Sequence, residues 1–160
     1  MNNGSGQPTG CTPAEVEHLL KQSAAAFGRQ PCGQYIELLR QLDGIMYDGN
    51  VIYAHRTHPL FGPGAITSRA VGSPDIDGFV ELNRFWRQRC RVDPDVLVYG
   101  GNEVYLYIGY GESRFCYLPG YPLPGEPLVS HVDKAFPTFN DMLLDVFEQL
   151  LERARDRGEL

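Results

Sequence analysis

The alternation of apolar and polar positions is densest in residues 96–118, VLVYGGNEVYLYIGYGESRFCYL, where short apolar runs are separated by turn residues at the spacing of an antiparallel meander. Val96, Leu97, Val98 and Tyr99 predict a first strand, with Gly100, Gly101 and Asn102 supplying the positive φ angles of a tight turn. In the second strand Val104, Leu106 and Ile108 share one face while Tyr105 and Tyr107 take the other. Gly109, Gly111 and Ser113 then lead into a third strand through Phe115 and Tyr117. Both faces are apolar or aromatic. One therefore needs a roof of helices, and the other is expected to be partly satisfied by tyrosines with wet hydroxyls.

Helical periodicity brackets this meander. Thr12-Pro13-Ala14-Glu15 is a capping box with proline at the first helical position, and Val16, Leu19, Leu20, Ser23, Ala24 and Phe27 follow on one face up to Gly28. Tyr35, Leu38, Leu39 and Leu42 predict a second helix that Asp43-Gly44 stops. Two apolar runs around Asp48-Gly49 predict a hairpin. Residues 56–73, with Pro59, Gly62, Pro63, Gly64 and Gly72 and little periodicity, predict a long loop and a first candidate for a functional surface. Ser73-Pro74-Asp75 is expected to start a third helix in which Phe79, Leu82 and Trp86 face inward while Glu81, Arg84 and Arg87 take the solvent. After the meander comes a proline-rich loop. Leu128 to Val132 can then add an edge strand, and Thr138 caps a last helix whose stripe is Met142, Leu143, Val146, Phe147, Leu150 and Leu151. Trp86 and Phe147 are both expected to be largely buried.

The order of elements predicts an α+β fold. Its antiparallel or mixed, curved sheet has about five or six strands, with N-terminal helices, one middle helix and a C-terminal helix packed on it. Residues 1–10 are expected as a disordered tail, 11–156 as a single domain, and 157–160 as a frayed end.

Composition narrows the function. The 160 residues carry 14 Lys and Arg against 20 Asp and Glu, a formal charge of -6, which argues against direct nucleic-acid binding and suits a basic protein partner as well as plain solubility. Cys11, Cys32, Cys90 and Cys116 form no C-x-x-C pair and are expected as free thiols. No apolar run approaches the ~20 residues of a membrane span, and no signal peptide is apparent, so a cytoplasmic location is expected.

The search for chemistry yields no complete site. His55-Arg56-Thr57-His58 has ligand-like spacing but sits in a predicted loop with no adjoining acid. His131-Val132-Asp133 lacks the second histidine of an iron triad, and Gly111-Glu112-Ser113-Arg114-Phe115 lacks the last glycine of a nucleophile elbow. Gly62-Pro63-Gly64 and Gly109-Tyr110-Gly111 lack the third glycine of a dinucleotide loop, and Asp75 and Asp77 read as acids near a helix start. No catalytic residue, cofactor or metal is therefore expected, and the protein is not expected to be an enzyme. What remains is surface. Tyr47, Tyr53, Tyr99, Tyr105, Tyr107, Tyr110, Tyr117 and Tyr121 gather around the sheet among acidic residues, a composition that suits a protein interface, although most such rings pack against helices or shield a sheet face.

One resemblance fits this reading. Pro31 followed by Gln34-Tyr35-Ile36-Glu37-Leu38-Leu39-Arg40-Gln41-Leu42-Asp43-Gly44, and then by the hairpin with Tyr47-Asp48-Gly49 and Val51-Ile52-Tyr53, resembles the SUKH superfamily. The nearest branch is the YrhA-like part of its SMI/KNR group. Asn83-Arg84-Phe85-Trp86, Val98-Tyr99-Gly100-Gly101, Val104-Leu106-Ile108 and the helix start at Phe136-Pro137-Thr138-Phe139-Asn140-Asp141-Met142-Leu143 agree in order, over residues 12–152. Cys32 and Gly33 stand where acids are usual, and Asp43 stands where asparagine is frequent. The resemblance implies a curved-sheet α+β fold and the role of many bacterial members: a cytoplasmic immunity protein that neutralises a secreted toxin. The partner-binding residues expected on this reading are Tyr47, Asp48, Tyr53, Asp75, Asp77, Glu103 and Glu112, facing the basic active-site cleft of a cognate toxin. The alternative is a regulatory interaction scaffold with a cellular partner.

Overall fold

The computed structural model describes residues 10–59, 75–76 and 78–160. Its helices are α1 (Pro13–Phe27), α2 (Gly33–Gln41), α3 (Phe79–Arg89) and α4 (Phe139–Asp156). The strands are β1 (Ile45–Tyr47), β2 (Asn50–Ile52), β3 (His58–Pro59), β4 (Asp75–Ile76), β5 (Val96–Gly101), β6 (Tyr105–Tyr110), β7 (Arg114–Pro119) and β8 (Lys134–Phe136). Six strands form one open sheet in the order β1-β2-β5-β6-β7-β8, every pair antiparallel, with β3 and β4 as a separate two-stranded ribbon. This is the expected α+β class.

Local chemistry sets the helix limits. The Thr12 side chain accepts from Glu15 N and Glu15 reaches back to Thr12 N, closing the capping box, and Gly28 ends α1 at φ 67°. Thr138 caps α4 by accepting from Asp141 N. At the β1–β2 turn Asp48 (φ 49°) and Gly49 (φ 77°) both take left-handed backbone, as a two-residue hairpin requires.

The core is aromatic. Tyr99 lies at a bulge between Val98 and Gly100, and its ring centroid is 5.0 Å from Tyr35, 5.4 Å from Phe139 and 5.6 Å from Phe79. Asn83, fully buried on α3, ties the helix to the strand beside that bulge. Its Nδ2 donates to Val98 O and its Oδ1 accepts from Val98 N, both at 2.8 Å, as a neighbouring strand would.

Several expectations are corrected. Asp75–Ile76 pairs with His58–Pro59 and is no helix start. Helix α3 begins after Gly78, where the chain passes so close to Thr57 that an added Cβ would lie 2.6 Å from its backbone nitrogen. Gly100 and Gly101 belong to β5 and not to the turn. A Cβ on Gly100 would sit 2.0 Å from Val51 O, so glycine is needed there for the approach of β2, and Asn102 makes the turn by accepting from Val104 N and Tyr105 N. The last edge strand is Lys134–Phe136, whereas Leu128 donates its N–H to Arg91 O. Arg87 is half-buried, donating to Val96 O at 2.7 Å with its guanidinium over the Phe27 ring. Two sheet tyrosines whose hydroxyls are expected to be wet are bonded to protein, Tyr107 to Asn50 Oδ1 and Tyr117 to Asp145 Oδ2, and Tyr35 of α2 likewise donates to Tyr53 O. Burial pushes all three phenols above their ordinary range.

Trp86 is buried as expected, but Phe147 is 37% exposed. Helix α4 turns Phe139, Met142, Leu143, Val146, Leu150 and Ala154 inward, a stripe that leaves Phe147 on its flank. No helix among the described residues is long and apolar enough to cross a membrane.

Candidate functional site

Of the seven expected interface residues, the structure brings two together. Tyr47, 53% exposed, ends β1, and Asp48 beside it accepts from a single nitrogen of Arg157, whose Nη1 lies 3.2 and 3.0 Å from its two carboxylate oxygens. That contact ties the hairpin tip to the end of α4. Gly158 at φ 72° turns the chain back there, with Glu159 N donating to Ala154 O. Glu103 and Glu112 are exposed but lie in the turns at opposite ends of β6, roughly 20 Å apart at ~3.3 Å per residue. Asp75 lies in the β3–β4 ribbon, while Asp77 and most of the long loop fall outside the described residues. Tyr53 is a correction. It is 5% exposed with its hydroxyl 3.5 Å from Trp86 Nε1, because the residues after β2 pass inward under α3.

Around Tyr47 lies an apolar groove of about 400 Å³, lined by Tyr47, Phe147, Leu150, Leu151, Ala154 and Leu160. Leu144, Phe147, Glu148, Leu151 and Glu152 share the outer face of α4 at helical spacing, and all five are exposed. Large aliphatic and aromatic side chains in water, gathered on one face and interleaved with carboxylates, are the composition of an anchor region for another protein. Sequence reasoning assigned Phe147 and Leu151 to the core. The signal against that was the width of the apolar arc: with Leu144 included, α4 carries more apolar positions than one inward stripe can hold.

A second cluster lies at the other end of the hairpin. Cys11, Asp43 and His55 are all buried. Asp43 Oδ1 accepts from His55 N at 2.8 Å, Asp43 Oδ2 meets His55 Nδ1 in a close contact, and Cys11 Sγ is 3.4 Å from the same Nδ1. On the far side of the ring, Nε2 lies 2.9 Å from Glu15 Oε2. Gly10 makes this assembly possible, since a Cβ there would lie 1.9 Å from Arg40 O. The chain can thus run against the end of α2 and deliver Cys11, whose N–H donates to Leu39 O. The expectation of no acid adjoining His55 is therefore corrected: two acids flank it, brought from 12 and 40 residues away by the fold, and no local pattern announces them. Burial first, then the hydrogen bond and charge of Asp43 and the charge of Glu15, push the Cys11 thiol far above its ordinary range. That is the reverse of an activated nucleophile.

The other three cysteines are also free and buried, and burial raises each thiol. Compared with known proteins, the chain matches no family model and no curated protein.

Proposed function

We propose that this protein acts by binding rather than catalysis, as a cytoplasmic immunity protein of SUKH type whose groove between the β1–β2 tip and α4 seats on a cognate secreted toxin. The observation that carries the reading is the apolar face of Tyr47, Leu144, Phe147 and Leu151, exposed on a chain of net charge -6. Such a face supplies desolvated anchors, and the acids beside it, Asp48, Glu148 and Glu152, fit a basic patch such as the active-site cleft of an enzyme acting on nucleic acid or nucleotides. Blocking such a cleft requires no bond-making chemistry, no cofactor, and no contact with nucleic acid or membrane. The resemblance in motif order supports the same role.

The test is protection. Expressed with a toxin encoded beside its own gene, the wild type is expected to restore growth, and Leu144→Glu with Phe147→Glu and Leu151→Glu to lose protection at equal protein level and similar melting temperature. Full protection by that triple variant places the interface elsewhere. Self-association that the same changes abolish makes the occupant a second copy of the chain. A locus without a toxin gene favours the regulatory scaffold.

A further inference from the structure

The ligand atoms of Cys11, Asp43 and His55 all lie within 4.8 Å of one another, and the three side chains are buried. Sulfur, imidazole nitrogen and carboxylate oxygen are the donor types that zinc takes in proteins. The contacts sort the two nitrogens of His55: Nδ1 faces Cys11 Sγ and Asp43 Oδ2, while Nε2 is held 2.9 Å from Glu15 Oε2. A metal-bound histidine characteristically has its second nitrogen held by a carboxylate, which fixes the ring. Glu15 is itself fixed, accepting from Thr12 N at 2.9 Å through its other oxygen. Asp43 is anchored likewise through the His55 N–H, so that Oδ2 is the oxygen turned to the cluster.

We propose that Cys11 Sγ, Asp43 Oδ2 and His55 Nδ1 form a zinc(II) site, with Glu15 as its positioning residue, that staples the start of α1, the end of α2 and the end of β2. The site is separate from the groove and goes beyond the binding role. In a tetrahedral site with Zn–S of about 2.3 Å and Zn–N of about 2.1 Å, the S···N edge is about 3.6 Å. The observed separation is 3.4 Å. The Asp43 oxygen has to withdraw from Nδ1 to serve as the third protein ligand, a rotation of one carboxylate, and the fourth tetrahedral position is left to a solvent-derived ligand. On binding, the Zn–S bond forms as the thiol proton leaves to solvent.

The experiment uses the full chain, stripped with a chelator and titrated with zinc(II), and in parallel with cobalt(II) as a spectroscopic probe. One zinc per chain is expected to survive dialysis and to raise the melting temperature. Cobalt is expected to give a thiolate charge-transfer absorption that is lost in Cys11→Ala and kept in Cys32→Ala and Cys90→Ala. Glu15→Gln keeps the capping box, because glutamine also caps, and is expected to weaken zinc binding ~10–100-fold. A wild type that retains no zinc and shows no charge-transfer band overturns the site without reference to any variant. A band that persists in a folded Cys11→Ala, or disappears in Cys32→Ala, overturns it too.

Discussion

The two ends of the β1–β2 hairpin put the same kinds of residue to opposite uses. At its base, Asp43, Tyr53 and His55 are buried among hydrogen bonds that fix where the hairpin leaves α2 and where it returns under α3. At its tip, Tyr47 and Asp48 stand in solvent beside the outer face of α4, held by one exposed contact with Arg157. An acid or a tyrosine in a hairpin therefore does not by itself report an interface. The number of its hydrogen-bonding atoms already committed to the protein's own backbone does.

The largest effect is expected at the base. Asp43→Ala strips the His55 N–H and ring of their acceptor inside the core and should cost about 3–5 kcal/mol, the range for removing one partner of a buried charged contact. Chemical denaturation in the presence of chelator measures it without any contribution from metal. A loss below 1 kcal/mol would mean that the base is no more committed than the tip.

At the tip the expected signature is inverted. Phe147→Ser and Leu151→Ser together should cost only about 1–3 kcal/mol, since 37% of Phe147 and 47% of Leu151 is already in solvent, while partner affinity falls at least ~10-fold, as for interface anchors. Calorimetric titration reads the affinity and thermal melting the stability. A large drop in melting temperature would return these residues to the core, where the pattern of α4 alone had placed them.

That misplacement shows which parts of the fold were legible. Helix starts and the first hairpin were, because the Thr12–Glu15 box, the Thr138 cap and the Asp48-Gly49 turn are settled by residues a few positions apart. The β3–β4 ribbon, the strand position of Gly100 and the register of β8 were not, because each depends on which distant backbone comes within van der Waals distance. The Cys11–Asp43–His55 cluster belongs to the second kind. So does the inward turn of Tyr53, whose backbone is held by Tyr99 O and by the Tyr35 hydroxyl, both far away in sequence.

Acid should separate the two ends more gently. Hydrogen bonding to the Thr12 backbone, then to its side chain, together with the nearby His55, holds the Glu15 carboxyl below its ordinary value against a burial contribution that opposes it. A depressed folded value means that Glu15 stabilises the fold above its unfolded value of about 4.3, and that this contribution is lost as pH falls through the folded value. Wild-type stability should therefore drop on acidification below about pH 4.3 more steeply than that of Glu15→Gln. Asp145, held down by Lys134, Tyr117 and Gln149 despite its burial, adds a similar loss in both proteins and cancels in the comparison. Identical slopes would detach Glu15 from the base.

The smallest effect belongs to the rim of the groove. Glu148 and Glu152 are exposed on α4 beside the apolar anchors, and neither is needed to satisfy a buried group. Replacing both with lysine should leave the melting temperature within about a degree and the dissociation rate nearly unchanged, because rim charges act before contact and not after it. Association with a basic partner should slow several-fold at low ionic strength, since the association rate responds to the summed field around the docking patch. The difference should vanish near 1 M salt, where the Debye length is about 3 Å. Stopped-flow association across a salt series distinguishes this from loss of a direct contact. A slowing that is equal at every ionic strength, or that appears in the dissociation rate, would make Glu148 and Glu152 part of the seated interface, and the division between anchors and steering charges would have to be redrawn around them.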